Sequence, residues 1–295
     1  MNPRERGFAL LASHLGDPDR RPLTPPQLRV LAQRAAALEP EDRDLTEKDL
    51  LSLGYGGELA RRIIHLLSQE DVLDHYLSKA RRAGCVPITR VSPAYPLLMR
   101  KNLGLDSPGI LWAKGDLSLL NTPAVALVGS RDLNPENSRF AREAGRQAAR
   151  QELTLVSGNA RGADRTAQQA ALAEGGWVIS VVADELSRQP MQDRVLCLSE
   201  DGFEEPFSAQ RALSRNRCIH GMVWRTFVAQ TADRMGGTWD GTVKNLRAGW
   251  SGVYCFDDGS RGAAHLCAMG AIPVGLDDLK DFSALPEKEY SLFDR

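Results

Sequence analysis

Two short apolar runs, each ending in a glycine-bearing turn ahead of a helix-forming stretch, constrain this chain more than any other feature. They are Val125-Ala-Leu-Val-Gly-Ser-Arg131 and Leu155-Val-Ser-Gly-Asn-Ala-Arg-Gly-Ala-Asp164. A strand that enters such a turn leaves backbone N–H groups and a helix N-terminus available to gather an anion. Each turn also carries an arginine. The pair predicts a phosphate-lined crevice.

The pattern around these turns repeats. Apolar runs at about 124–128, 153–157, 177–183, 194–198, 223–229 and 252–256 read as strands covered on both faces, with helical segments that include about 136–150 and 164–174. Continuous apolar strands alternating with helices predict an α/β fold, an extended Rossmann-like and mainly parallel sheet. Residues 8–82 show helical spacing only, in Leu28–Leu38, Glu58–Leu67 and Val72–Ala83, with Thr46 and Lys48-Asp49 marking a helix start before Leu50. Leu53-Gly-Tyr-Gly-Gly57 suits the turn of a helix-hairpin-helix, and equally suits glycines that merely end helices. The expected division is therefore a small N-terminal all-helical module of SAM or helix-hairpin-helix type (1–83), a Rossmann domain (84–282) and a flexible tail (283–295).

A net charge of −1 argues against a wholly basic coat protein but leaves room for a local arginine patch on a phosphate backbone. The five cysteines form no C-x-x-C pair and the five histidines show no zinc spacing to them, so neither a metal nor another cofactor is expected. Scattered thiols in apolar settings fit a reducing cytoplasm, and no apolar run approaches membrane length.

Gly129-Ser130-Arg131 is not a dinucleotide fingerprint, because no glycine stands at 131 or 134. Gly129 permits close backbone approach, Ser130 offers a hydroxyl and Arg131 a planar fork suited to phosphate; an ordinary turn with a solvated arginine fits the same tripeptide. In the second turn Ser157, Gly158, Arg161 and Gly162 would line one pocket, with Asp164 read as a helix cap. Arg215, Asn216 and Arg217 precede an apolar strand and suit successive phosphates, or a solvated basic face. His220 has no visible acid or nucleophile partner. Gly236-Gly237-Thr238-Trp239 and Ser260-Arg261-Gly262 repeat the strand–turn–helix theme, so Gly237, Thr238, Trp239 and Arg261 join the expected rim. With no nucleophile elbow, paired carboxylates or Walker lysine, no catalytic residue is assigned and binding is favoured over turnover.

Taken in order, several segments resemble the DprA/Smf family of DNA-processing proteins. They are Gly84-Cys-Val-Pro-Ile-Thr89, Pro93-Ala-Tyr-Pro96, Leu111-Trp-Ala-Lys-Gly-Asp-Leu117, the two glycine turns, Arg215-Asn-Arg217 and Ser260-Arg-Gly262. The resemblance implies a Rossmann domain that binds single-stranded DNA as a homodimer, protects incoming strands and helps load a RecA-type recombinase. It places Gly129, Ser130, Arg131, Ser157, Gly158, Arg161, Gly162, Arg215, Asn216 and Arg217 around the strand, with glycine amides holding one phosphate. The chain departs from the family pattern where Asn137 stands near an expected glycine and Gln168 at an expected histidine.

Single strands are commonly held by stacking on exposed rings. Trp239 is the first candidate and Tyr55 a weaker one, whereas Trp112, Trp177 and Trp224 sit in apolar sequence and are expected to pack. Leu292 and Phe293 in Tyr290-Ser-Leu-Phe-Asp294 resemble the tail motif by which bacterial proteins dock on the replication clamp. A different class of function also fits: a nucleotide sensor or phosphoribosyl hydrolase of the related lysine-decarboxylase-like group, faintly echoed by Gly236-Gly-Thr-Trp-Asp-Gly-Thr242.

Overall fold

Capping chemistry at Asn2 starts the first helix well before residue 8. Asn2 accepts from Glu5 N–H, the Glu5 carboxylate returns to Asn2 N–H, and Pro3 fills the first helical position, where its missing donor costs nothing. The same device at Thr46 and Asp49 opens the third helix. The computed structural model describes residues 1–36 and 44–287, so the terminal motif at Leu292 and Phe293 lies outside the described residues.

The helices before the sheet are α1 (Pro3–Ala12), α2 (Pro25–Ala35), α3 (Glu47–Ser52), α4 (Gly57–Leu67) and α5 (Glu70–Arg82). Their apolar faces go to two places. Ala60, Ile63 and Leu66 of α4 meet Leu11, Leu23, Leu31 and Leu50 in a core made by the helices alone. Leu73, Tyr76 and Ala80 of α5, with Leu10 of α1, instead join the core beneath the sheet. There the Tyr76 ring lies 5.2 Å from Trp112 and 4.8 Å from Phe203.

The sheet contains β1 (Val86–Thr89), β2 (Ile110–Gly115), β3 (Ala124–Val128), β4 (Thr154–Ser157), β5 (Val178–Val181), β6 (Val195–Ser199), β7 (Arg225–Val228), β8 (Gly252–Phe256) and β9 (Ile272–Val274). Their order is β1-β2-β6-β5-β4-β3-β7-β8-β9; β2 runs antiparallel to both its neighbours, β1 and β6, and the remaining pairs are parallel. Helices α6 (Leu97–Leu103), α7 (Pro135–Arg150), α8 (Ala163–Ala173), α9 (Ala209–Ser214), α10 (Asn216–Gly221), α11 (Gly237–Ala248) and α12 (Arg261–Ala268) cover the two faces. Strand alternation divides the core between those faces. Val125 and Leu127 of β3 pack with Phe140 and Ala144 of α7, while Ala124, Ala126 and Val128 face Cys218, Ile219 and Leu246.

From β3 the chain proceeds outward through β4, β5 and β6, then returns to β7 on the other side of β3. That reversal is the topological switch point, where parallel sheets open a crevice beyond the carboxyl ends of the strands.

Candidate functional site

A crevice of about 610 Å³ lies at this switch point. One wall is the turn after β3, Gly129 to Arg131; the opposite wall is the loop after β7 and the start of α11, from Ala232 through Gly237 and Thr238. Leu213, Arg215, Asn216 and His220, from α9 and α10, close the third side. Helix α11 has no side-chain cap, since its N-cap residue is Gly236, so its first-turn amides bring the positive end of the helix dipole to the crevice; Asp240 of the same turn also lines it and is paired with Lys244 at 2.8 Å. Arg131 is exposed and has no ion-pair partner among the described residues.

The second turn is built around a carboxylate. Asp164 is buried in α8 and its Oδ2 accepts from Gly158 N–H at 3.1 Å and Ala160 N–H at 3.2 Å, with Arg215 Nη2 at 3.9 Å. Burial pushes the Asp164 carboxyl up, and Arg215 and the two amides pull against it. Gly158 is required by the arginine: a Cβ there would stand 1.6 Å from Arg215 Nη1. Arg215 keeps Nε and Nη1 buried without a hydrogen-bond acceptor among the described residues. The sequence expectation that glycine amides here hold a phosphate is corrected at Gly158, whose N–H is already donated to Asp164.

Other expected residues are also structural. Ser157 Oγ donates to Leu127 O at 2.7 Å and ties β4 to β3 inside the protein. Gly162, at φ +88°, passes so close to the first turn that a Cβ would lie 2.4 Å from Ser130 O, which accepts from Ala163 N–H at 3.1 Å. The second turn thus buttresses the first. Gln230, which no sequence motif marks, completes the brace: its carbonyl accepts from Ser130 N–H at 3.0 Å and its Oε1 from Asn134 N–H at 2.9 Å.

The structure brings Gly129, Ser130, Arg131, Arg215, Asn216, Gly237 and Thr238 to one crevice. Arg161, Arg217, Trp239 and Arg261, expected on the same rim, lie outside its lining. Arg161 is exposed and pairs with Asp132 at 2.6 Å. Arg217 lies two residues beyond Arg215, inside α10, and points elsewhere, to Glu200 at 2.6 Å and Asp106 O at 3.0 Å. Trp239 leans on the packed layer that holds Val243 and Leu246. Arg261 is the exposed first residue of α12. The aromatic expectations divide as well. Trp112 is buried, but Trp177 and Trp224 are 38% and 54% exposed, because both immediately precede their strands at the end of the sheet opposite the crevice. Tyr55 lies under the Arg34 guanidinium, 4.7 Å from its ring centroid. Sequence reasoning passed over Leu213 and Met235, exposed apolar side chains at the mouth of the crevice.

Residues 87–279 match the family model described as DNA recombination-mediator protein A. The chain belongs to this family. It is 33% identical over 192 residues to the DNA processing protein DprA of Streptococcus pneumoniae (strain ATCC BAA-255 / R6), covering 60% of this chain and 68% of that protein. Protein Smf of Escherichia coli (strain K12) is 30% identical over 142 residues, 44% of this chain and 38% of that protein. The X-ray structure of DprA from Streptococcus pneumoniae superposes with a TM-score of 0.73 at 25% identity, over 97% of this chain and 99% of that one. DNA processing protein A from Helicobacter pylori, studied for its single-stranded DNA binding mode, shares the fold at a TM-score of 0.54 and 22% identity, over 67% and 93% of the two chains. The Rossmann reading of the sheet and the family resemblance both hold. Among the described residues no helix is long and apolar enough to cross a membrane.

Proposed function

We propose that this recombination-mediator family member binds single-stranded DNA through the switch-point crevice, protects incoming strands and helps load a RecA-type recombinase, acting as a homodimer in the cytoplasm. The observation that carries the reading is the convergence of unpaired Arg131, buried Arg215 and the uncapped start of α11 on one crevice. Arginine forks and helix-terminal amides are the groups that neutralise and orient phosphates. Gly129, Ser130, Arg131, Arg215, Asn216, Gly237 and Thr238 form the proposed site, and Arg161 and Arg261 extend it along the surface. The role is binding rather than turnover. We also propose that residues 1–83 and 84–282 act as two units followed by a tail, 283–295, whose first residues are held to the second unit by Leu285 in the core beneath the sheet and by Pro286 O, which accepts from Tyr254 at 2.7 Å; a folded fragment beginning at 84 would support this, and one that aggregates would refute it.

A fluorescence-anisotropy titration with a dT oligonucleotide, competed by duplex of equal length and by mononucleotides, tests the function. Tight single-strand binding is expected, and phosphates neutralised by Arg131 and Arg215 alone give a log–log salt slope of about −1.4, steeper where Arg161 and Arg261 also engage. An affinity indifferent to salt refutes it. A second reading, a nucleotide-binding sensor, is favoured by the crevice volume of about 610 Å³, within the size range of small-molecule pockets, and by the Gly236-Gly237-Thr238 helix start. Competition by micromolar mononucleotide would select it.

A further inference from the structure

His220 is 1% exposed, yet it lines the crevice, and its two ring nitrogens have different surroundings. On the inner side, Ser251 N–H donates to Asn245 Oδ1 at 2.9 Å, which fixes the orientation of that amide. Asn245 Nδ2 then donates to Ser251 Oγ at 3.0 Å and to His220 Nδ1 at 3.3 Å. Thr226 Oγ1 completes the group, 3.2 Å from Nδ1 and 2.8 Å from Ser251 Oγ. Thr226, Asn245 and Ser251 are all buried, so this network is not remade by solvent.

A ring nitrogen that accepts from an amide carries no proton, and the hydrogen of the neutral ring therefore sits on Nε2. A second proton on Nδ1 would oppose the amide's own N–H. Burial and the Arg215 charge act in the same direction, lowering the His220 pKa to about 3. Away from that network, Nε2 lies beside Gly241 and beside Asn216, which lines the crevice with His220. A Cβ at Gly241 would come within 3.4 Å of Nε2 and 3.1 Å of Asn216 Nδ2. Nε2 has no hydrogen-bond partner among the described residues.

We infer that His220 Nε2–H is a fixed, neutral donor to a phosphate oxygen of the bound strand, an inference that rests on the single-strand reading above. The acceptor is anionic rather than a base carbonyl because the ring stands in the field of the buried Arg215, while Asp240, the carboxylate of the same crevice wall, is paired with Lys244. His220 thus sets how deeply a phosphate can seat, and Asn245 acts on the strand only through it.

The test uses the full chain with ¹⁵N-labelled histidine rings, titrated with a dT oligonucleotide. The expected spectrum shows His220 as the Nε2–H tautomer, with its Nε2 resonance shifting at saturation and Nδ1 nearly still. An abasic strand of the same length is expected to produce the same shift. His220→Ala is expected to weaken binding about tenfold or more, and His220→Gln, which can place an amide N–H near the same point, to weaken it less. An Nδ1–H tautomer, or an unmoved Nε2 resonance on a saturated protein, overturns the inference, and the spectra decide this even if His220→Ala does not fold. A shift seen with dT but lost on the abasic strand overturns the phosphate assignment. Absence of any strand binding overturns the single-strand reading itself, whereas binding with His220 unmoved overturns only this inference.

Discussion

The turn after β3 leaves Arg131 exposed and without a counter-ion, whereas the turn after β4 folds inward around Asp164 and closes on Arg215. Both carry glycine, serine and arginine, yet one presents groups to the crevice and the other holds the presenting turn in place. The difference comes from one side chain. Asp164 takes up the amides of Gly158 and Ala160, so that loop has fewer donors left for a ligand. Arginines divide in the same way: Arg215, at the junction of α9 and α10, enters the crevice, while Arg217, two residues on and inside α10, is anchored to Glu200.

The comparison breaks most readily at Asp164. Asp164→Ala leaves the Arg215 guanidinium buried without its counter-charge and is expected to cost about 3–5 kcal/mol in urea denaturation. A loss below about 1 kcal/mol would mean the second turn does not brace the first. Arg131→Ala is the opposite case. Its folding stability is expected to stay within about 0.5 kcal/mol of the parent, since it touches no buried group. Its single-strand affinity should fall by about 1.5–3 kcal/mol in anisotropy titrations, with the salt slope reduced by about 0.7.

Acid sharpens the contrast on the third side of the crevice. His220 stays neutral in the folded protein down to a pKa of about 3, while the unfolded chain takes up that proton near 6.5. The unfolded state therefore binds more protons between those values, and stability falls as pH is lowered through the window, by up to about 1.4 kcal/mol per pH unit from this group. Denaturation of the parent and of His220→Gln at pH 7 and pH 5 checks this: the parent should lose more, and equal losses would show that the ring is not held neutral. The smallest effect is expected at the rim. Arg161→Ala removes an exposed pair with Asp132 and should change stability by less than about 1 kcal/mol. A larger loss would give Arg161 a bracing role like that of Gly162.

Much of the fold was legible because strand burial on both faces writes itself as uninterrupted apolar sequence. The run 124–128 coincides with β3, and 252–256 with β8. Boundaries shift where a strand's lead-in is exposed: the apolar run spans 223–229, but β7 is Arg225–Val228, with Trp224 outside it and its ring 5.0 Å from Lys101 Nζ. Apolar spacing begins at residue 8, whereas the start of α1 is set earlier by Asn2, Pro3 and Glu5, through capping rather than periodicity. In the crevice, Gly129-Ser130-Arg131 and Gly237-Thr238 were legible as turns that end strands and begin helices. Arg217 and Trp239 lie away from the crevice because a residue type and its spacing do not reveal which neighbour claims it: Glu200 for the one, the layer of Val243 and Leu246 for the other.

Sequence by itself determined the alternation of strands and helices, the positions of the glycine turns and the family to which the chain belongs, since each depends on residues close along the chain. Tertiary structure alone decided which arginines share a crevice, which amides Asp164 takes up and which nitrogen of His220 bears the proton. Those outcomes depend on partners far apart in sequence, such as Asn245 and Ser251 for His220 or Asp164 for Arg215, whose meeting is fixed by the crossover of the sheet.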